Sequence, residues 1–359
     1  MSARRFGIAA VAVALAGCGA EYAIAPVDVH PGEVTACAFE PVDGAPGLER
    51  YTCNPVFTSS DEPWAATLTA TSFGTTNVLD HPFYQLWYFA QSDGGPLAGY
   101  ATSPDGTTWT PHDDNPQWDG DASGWDGGMV FGTEVAWDPD LRRYVLLYGA
   151  ASADQSAFGL GVATSWDGAH WDAAPTNPVL DLRLPFAGTQ VTWPLSMEIT
   201  DGGVSAYVGA LIDADRVGMW RLESDDVTAL TGLGERVFDP GTNGAFDDLG
   251  FVDASIAELD GVEYLFYVGF GAWKDLGNGV RGTTDQFLGL ATSTDGGASW
   301  TRTSTDPLPV HLDPDGAIGS VAARTVGSRI LLWVTDTYPD LGPGVGYFVY
   351  TPPGAGGEE

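Results

Sequence analysis

One stretch decides how this chain folds: residues 160–171 read Leu-Gly-Val-Ala-Thr-Ser-Trp-Asp-Gly-Ala-His-Trp, and Asn-Pro-Val-Leu follows at 177–180. A second copy, Ala-Gly-Tyr-Ala-Thr-Ser-Pro-Asp-Gly-Thr-Thr-Trp, occupies residues 98–109. A third copy, Leu-Gly-Leu-Ala-Thr-Ser-Thr-Asp-Gly-Gly-Ala-Ser-Trp, occupies residues 288–300. Similar segments that recur at wide spacing indicate repeated supersecondary units.

Each copy has the pattern of a strand followed by a tight turn. Small or apolar residues alternate with polar ones in its first half, which is typical of a β-strand. Asp-Gly then favours a tight turn, because glycine tolerates positive φ and aspartate can accept hydrogen bonds from the backbone ahead of it. The tryptophan that follows can cover this turn. We therefore expect the repeats to build the fold rather than to bind a ligand.

A second signature, an aromatic-rich apolar strand, recurs about every 60 residues, at 84–89, 144–149, 204–209, 263–269 and 329–334. In most copies a short strand and a turn come directly before this aromatic strand. Each module therefore predicts a four-stranded antiparallel sheet. Five modules predict an all-β, five-bladed propeller over residues 54–352, followed by a disordered tail at 353–359. The segment Asn-Pro-Val-Phe at 54–57 is expected to pair with the last blade and close the ring, which removes two exposed edges.

The N-terminus predicts export and lipid anchoring. Residues 1–17 combine a basic start, a short apolar run and small residues, as in a secretory signal peptide. Leu-Ala-Gly-Cys at 15–18 resembles the lipobox of bacterial lipoproteins, which implies acylation of Cys18 and a place at the outer membrane or cell surface. Residues 18–53 are then expected to form a lipidated tether. Within it, Cys37 and Cys53 are the remaining cysteines and predict a disulfide in an oxidising compartment.

The charge is strongly acidic, with 48 Asp and Glu residues against 14 Lys and Arg residues and a formal net charge of −34. Such a surface repels nucleic acid and anionic lipid head groups, so contact with a membrane is expected through the lipid anchor only. We expect the protein to be a monomer.

The repeats, together with Trp-Asp-Gly-Gly at 125–128 and the Thr-Glu-Val strand at 133–135, resemble the five-bladed β-propeller glycoside hydrolases, a group that includes arabinanases, xylosidases and invertases. The Asp-Gly turns also match the Asp-box of sialidases. The resemblance covers nearly all of the chain beyond the signal. It implies acid/base hydrolysis of glycans, with catalytic carboxylates on the innermost strands near the central funnel.

Three carboxylates fall on the strands that this resemblance predicts to be innermost. Glycoside hydrolysis requires one protonated and one ionised carboxyl group on either side of the scissile bond. The candidates are Glu134 as general acid, Asp253 as general base, and Glu198 as a modulator or substitute acid. The alternative for each is a structural carboxylate that accepts hydrogen bonds from neighbouring backbone amides.

Further candidates could bind substrate or metal. Aromatic faces stack on sugar rings, so four tryptophans and one cation are candidate substrate contacts: Trp64, Trp125, Trp193, Trp273 and Arg281. Blade packing is the alternative for each tryptophan. The spacing of Asp119, Asp121 and Ser123 resembles the start of an oxygen-ligand calcium loop, and Asp126 could complete it. No cofactor other than this possible calcium ion is expected.

Two functions remain open from the sequence. The first is a surface-anchored glycoside hydrolase, inverting in mechanism. The second is a non-catalytic propeller that binds glycans or acts as a scaffold. The carboxylates on the inner strands favour the first, whereas the missing Asp-Pro-Ser and Glu-Gly-Pro patterns of the hydrolases favour the second.

Overall fold

The computed structural model describes residues 36–354 apart from 59–60, 62–63, 65–66, 79–80, 93–94, 118–123, 155, 182–190, 201–202, 229, 231–233, 278–279, 312–316 and 339–340. The signal sequence and Cys18 therefore lie outside the described residues. Residues 37–359 form one compact unit. The secondary structure of the described part is β throughout, with 23 strands. No helix in this part is long and apolar enough to cross a membrane.

Five antiparallel sheets follow one another along the chain, which confirms the five-bladed propeller. Blade one contains β4 to β7, namely Thr67–Val78, His81–Ser92, Gly95–Ser103 and Thr110–Pro111. Blade two contains β8 to β12, namely Met129–Asp138, Arg143–Ala151, Phe158–Ser165, Asp172–Ala173 and Leu180–Asp181. Blade three contains β13 to β16, namely Val191–Thr200, Gly203–Leu211, Val217–Ser224 and Glu235–Phe238.

Blade four contains β17 to β20, namely Gly250–Leu259, Val262–Gly277, Val280–Ser293 and Thr301–Arg302. Blade five combines β21 to β23, namely Ser320–Val326, Arg329–Tyr338 and Gly342–Tyr350, with three N-terminal strands, β1 to β3, at Phe39–Pro41, Leu48–Tyr51 and Phe57–Thr58. The first strands of the blades (β4, β8, β13, β17 and β21) each contact the first strands of both neighbours. They therefore surround the axis of the ring, and we call them the inner strands.

The repeated Asp-Gly turns join neighbouring blades. Within blade two, Oδ1 of Asp167 accepts hydrogen bonds from the amides of Ala169 and His170, both at 2.9 Å. The carbonyl of Gly168, in the same turn, accepts a 2.6 Å hydrogen bond from the indole of Trp87 in blade one. The equivalent turn in blade one accepts from blade five, where Trp333 donates to Gly106 at 3.2 Å. The repeats thus have the structural role that the sequence predicts.

The Asn-Pro motifs hold the outer edge of a blade. Asn177 accepts from the amide of Val162 and donates to its carbonyl, both at 2.9 Å, as a neighbouring strand would. Asn54 makes the same two contacts with Tyr347, at 2.8 and 3.1 Å. The first motif acts within one blade, whereas the second joins the N-terminal segment to the last strand of the ring.

The structure confirms this closure and extends it. Phe57 pairs with Val345 in β23, as expected for the segment at 54–57. In addition, β2 pairs with β23 further along, with Leu48 opposite Tyr350. Residues 39–51 were predicted to be part of a tether, but they belong to the last blade. Cys37 and Cys53 form the expected disulfide across this segment, with Cα atoms 5.5 Å apart.

We predict that removing residues 1–58 strongly destabilises the propeller. Leu48 and Phe57 are both 1% exposed, and the loss of these two buried side chains alone costs about 3–6 kcal/mol. Thermal and denaturant unfolding would measure the effect. The matched control begins at Cys37 and keeps every N-terminal strand, so it should unfold like the full chain. Equal stability of the two truncated forms would contradict closure by this segment.

Candidate functional site

The centre of the ring brings two acidic side chains together from separate blades. Glu134 lies on β8 and Asp253 on β17, and they remain 9% and 8% exposed. Both follow closely on a β-bulge in the inner strand, between Phe131 and Thr133 in one case and between Phe251 and Asp253 in the other. Bulges redirect side chains and are frequent next to active sites. The β13 strand contacts both of these inner strands, so the two carboxyl groups come from blades that are not adjacent in the ring.

The two carboxyl groups interact electrostatically. Burial raises the pKa of Glu134 well above its usual value, and the negative charge of Asp253 raises it further. Burial also raises the pKa of Asp253. Two carboxylates that share a poorly solvated site cannot both ionise readily, so the pair retains a proton at higher pH than an isolated carboxyl group would.

Hydrogen bonds make the two groups unequal. The amide of Val321, on β21 in blade five, donates to Oδ2 of Asp253 at 2.7 Å. This bond and one from the amide of Ala254 lower the pKa of Asp253, against the effect of burial. Backbone donors stabilise the ionised carboxylate. The two carboxyl groups therefore have different surroundings, with backbone donors that stabilise the ionised form of Asp253.

Glu198, the third carboxylate selected from the sequence, does not join this pair. It lies near the end of β13, in a cleft of about 560 Å³ between blades three and four that Arg221 and Glu263 also line. The hydroxyl of Tyr207 donates to Oε2 of Glu198 at 3.3 Å. The position on an inner strand was predicted correctly, but β13 ends two residues after Glu198, whereas β8 ends four residues after Glu134. Glu198 therefore lies nearer the turn that follows its strand.

This cleft has its own electrostatics. Burial and the nearby charge of Glu263 raise the pKa of Glu198 to about 7, while Tyr207 and Arg221 act in the opposite direction. Arg221 donates to the carbonyl of Gly296 in the next blade at 2.7 Å, so the same group links the blades. Glu263 was not predicted as a site residue, because it lies at the start of an aromatic strand. Ser293 and Gly297 of its own blade and Arg221 of blade three surround its carboxyl group.

Two of the candidate sugar-binding tryptophans are structural. Trp64 stacks on Tyr88 with ring centroids 6.3 Å apart, and Trp125 stacks on Tyr148 at 5.8 Å. In blade four a phenylalanine takes the same position, since Phe246 stacks on Tyr267 at 6.0 Å. The position therefore repeats around the ring and covers a core tyrosine, as blade packing would require.

The same repetition explains Asp126, the fourth member of the proposed calcium loop. The hydroxyl of Tyr148 donates to Oδ2 of Asp126 at 2.8 Å, and Asp126 is 4% exposed. In blade four, Tyr267 donates to Asp247 in the same way at 3.1 Å. Asp126 is thus part of a repeated aromatic-acid pair, which the Trp-Asp and Phe-Asp dipeptides could have revealed.

The other three predicted ligands, Asp119, Asp121 and Ser123, lie outside the described residues. Within the described residues, no group of three or more His, Cys, Asp or Glu side chains is arranged to hold a metal ion. A calcium site at 119–126 stays a prediction.

The remaining candidates lie apart from the central pair. Trp193 packs against the core between blades three and four. Trp273 lies on β18 and donates to the carbonyl of Asp215 in blade three at 2.8 Å. Arg281 lies on β19 with its backbone opposite Asp275, within a hairpin that continues the two strands where the sequence suggested a loop. The position of the Arg281 side chain lies outside the described part of the structure.

Comparison of the sequence with protein-family models and with curated proteins finds no match. Solved structures, by contrast, are clearly similar in fold. A thermostable family-43 glycoside hydrolase has a TM-score of 0.56 and 17% identity, covering 83% of this chain and 97% of its own. A β-1,2-mannobiose phosphorylase from Listeria innocua, in complex with β-1,2-mannobiose, has a TM-score of 0.58 and 13% identity, covering 85% and 96%.

An α-L-arabinofuranosidase from Podospora anserina, in complex with cellotriose, has a TM-score of 0.53 and 14% identity, covering 82% of this chain and 93% of its own. Similarity at such low identity establishes the fold, whereas function depends on the residues of the site. The chain therefore has the five-bladed propeller fold of these carbohydrate-active enzymes.

Proposed function

We propose that this chain hydrolyses glycosidic bonds at the centre of the propeller, with Glu134 as general acid and Asp253 as general base. The observation that carries the proposal is the pairing of two buried carboxyl groups on separate inner strands, where the charge of one raises the pKa of the other. Perturbed carboxyl groups that differ in environment are typical of acid/base sites. The fold shared with glycoside hydrolases supports the same assignment.

In this reaction Glu134 donates its proton to the oxygen of the leaving sugar, and ionised Asp253 accepts a proton from the attacking water. The inner strand of blade three lies between the strands that carry the two groups. The proposed outcome is inversion at the anomeric carbon, in which the base activates a water molecule that lies between it and the sugar. The substrate class is an oligosaccharide or polysaccharide. The signal sequence and Cys18 support a lipid anchor at the cell surface as the location of this activity.

A second candidate is a propeller that binds glycans without cleaving them. The bond from the amide of Val321 to Asp253 favours it, because that bond holds blades four and five together. A second bond, from the amide of Ala323 to Oγ of Ser255 at 2.9 Å, repeats the arrangement two residues further along both strands. In this role Asp253 is a structural carboxylate, and its substitution would lower stability rather than turnover.

We predict that Glu134→Gln and Asp253→Asn each lower kcat by about 100- to 10,000-fold, the usual contribution of a general acid or base. A panel of aryl arabinosides, xylosides and mannosides, in furanoside and pyranoside forms, would measure turnover. The matched control is Glu198→Gln, which changes an inner-strand carboxyl outside the pair and should retain activity. Loss of activity only in Glu198→Gln would contradict the assignment, and glycan binding without turnover by the wild type would select the second candidate.

We also predict that Glu198 makes the fold less stable as the pH rises. Its pKa is about 7 in the folded protein against an ordinary value of 4.5. Between these values the folded state binds the proton more tightly than the unfolded chain does, so the free energy of unfolding falls with rising pH and the loss is complete above pH 7.

Thermal unfolding between pH 4.5 and 8 would test this point. Glu198→Gln cannot ionise, so its melting temperature should fall less steeply than that of the wild type across this range. Glu223, exposed on the rim of the same cleft, offers the matched control: Glu223→Gln should follow the wild type. Parallel curves for the wild type and Glu198→Gln would show that Glu198 titrates normally.

A further inference from the structure

Two of the interfaces between neighbouring blades, which we call seams, are filled by three aromatic rings each. At the seam between blades one and two, the ring of Trp87 lies 5.5 Å from the rings of Tyr100 and Tyr144. At the seam between blades five and one, with ring distances of 4.9 and 5.8 Å, the same positions hold Trp333, Tyr347 and Tyr84. In both seams the indole also donates to the Asp-Gly turn of the following blade. We call this arrangement the aromatic triad.

The strand register identifies the first two positions of the triad at the seam between blades three and four. Trp87 pairs with Tyr100 across two strands of blade one, and Tyr207 pairs with Arg221 in the same way in blade three. Like Trp87, Tyr207 contacts the Asp-Gly turn of the following blade, where its hydroxyl lies so close to Gly297 that a Cβ atom there would clash with it. Tyr207 and Arg221 therefore occupy the positions of a tryptophan and a tyrosine.

The third position of the triad carries a carboxylate at this seam. Tyr144 pairs with Ser165, which begins the Asp-Gly turn of blade two. In blade four, Glu263 pairs with Ser293, the corresponding serine. Charged side chains therefore replace two of the three rings, and in place of a complete aromatic triad this seam holds the cleft of about 560 Å³ described above.

The lining of this cleft is predominantly negative. It contains one basic side chain, that of Arg221, and four acidic ones, those of Glu198, Glu223, Asp225 and Glu263. Arg221 already forms an ion pair with Glu223 at 2.8 Å and donates to the carbonyl of Gly296. The arginine thus offsets one of four negative charges when all of these groups are ionised.

Two of the acidic groups lie where their charge is costly. Burial raises the pKa of Glu263, and its Oε2 atom is buried without a hydrogen-bond partner among the described residues. Burial and the charge of Glu263 also raise the pKa of Glu198 to about 7. Buried polar atoms of proteins nearly always have a partner, so an unpartnered carboxylate oxygen beside an open cleft indicates a partner from outside the chain.

We propose that the cleft between blades three and four binds a small organic molecule with a primary ammonium group, such as an amino sugar or a diamine. An ammonium group brings a positive charge and three hydrogen-bond donors, which the carboxylates of Glu198 and Glu263 can accept. A volume of about 560 Å³ suits a small-molecule ligand. A metal ion fits less well, because no three His, Cys, Asp or Glu side chains of the described part are arranged to hold one. Glu134 and Asp253 do not line this cleft, so the inference does not depend on the proposed hydrolysis.

Binding of the ammonium group should displace a proton from Glu198. The ligand favours the ionised carboxylate, whereas below pH 7 this group retains its proton, so the affinity should rise with pH until Glu198 is ionised. Putrescine is a suitable probe, because its amines, like that of lysine, stay protonated to about pH 9. Between pH 5.5 and 8 we expect its Kd to fall at least about 10-fold.

Isothermal titration calorimetry of the full-length protein at pH 7.5 tests the proposal with glucosamine, with putrescine and with glucose, a neutral analogue of the first. We expect at least one amine to bind with a Kd below about 1 mM and glucose not to bind. Glu263→Gln and Glu198→Gln should each raise this Kd at least about 10-fold, and the second should also remove its dependence on pH. The matched control is Glu40→Gln, which removes one negative charge at an exposed position of blade five and should bind like the wild type.

Thermal unfolding gives a second measurement that needs no variant. The amine that binds should raise the melting temperature of the wild type, and glucose should not. The same measurement shows whether each variant is folded.

Four results would overturn the proposal: no binding of either amine, equal binding of glucose and glucosamine, unchanged binding by both glutamate variants, or glutamate-dependent binding of calcium instead of an amine. Binding of one amine alone supports the proposal and shows whether the ligand is a sugar or an aliphatic amine. Turnover of the glycoside panel is measured separately in amine-free buffer. Its absence contradicts the proposed hydrolysis and leaves this site standing, whereas absence of amine binding leaves the hydrolysis standing.

Discussion

The structure depends on contacts that join each blade to the next. In an antiparallel sheet the backbone N–H and C=O groups bond to each other within the sheet. Neighbouring blades of the ring must therefore be joined by bonds that involve side chains. The indole of Trp87 supplies one such bond to the carbonyl of Gly168, and Trp333 supplies the equivalent bond to Gly106. From blade three, Arg221 supplies a bond of the same kind to the carbonyl of Gly296 in the turn of blade four. The ring closes because the N-terminal strands β2 and β3 pair with β23 of the last blade.

Closure has an electrostatic consequence at the centre. Inner strands that approach one axis bring side chains from non-adjacent blades into one poorly solvated space, where ionised groups lose hydration. Glu134 and Asp253 meet there, and burial raises the pKa of both. Amide donors from blades four and five then favour the charge on Asp253. The same contacts that assemble the ring thus give the two carboxyl groups different surroundings.

Repetition explains why the fold was predictable from the sequence and the surroundings of single residues were not. The fold was predictable because strand alternation, Asp-Gly turns and Asn-Pro motifs are local features that recur in the sequence. The roles of Trp125 and Asp126 were not, since a lone Trp-Asp pair fits a sugar contact or a metal ligand equally well. Only the structural equivalence of Phe246 and Asp247 shows that both pairs cover a core tyrosine.

The sequence by itself determined the number of blades, the closing segment at 54–57, the disulfide partners and the strands that carry the central acids. Only the tertiary structure decided which acids meet, because the distance between residues 134 and 253 depends on how five sheets are arranged around an axis. It also separated Glu198 from that pair and placed it beside Glu263 and Arg221. The physical reason is that strand patterns depend on neighbours along the chain, whereas the ionisation of a carboxyl group depends on neighbours in space.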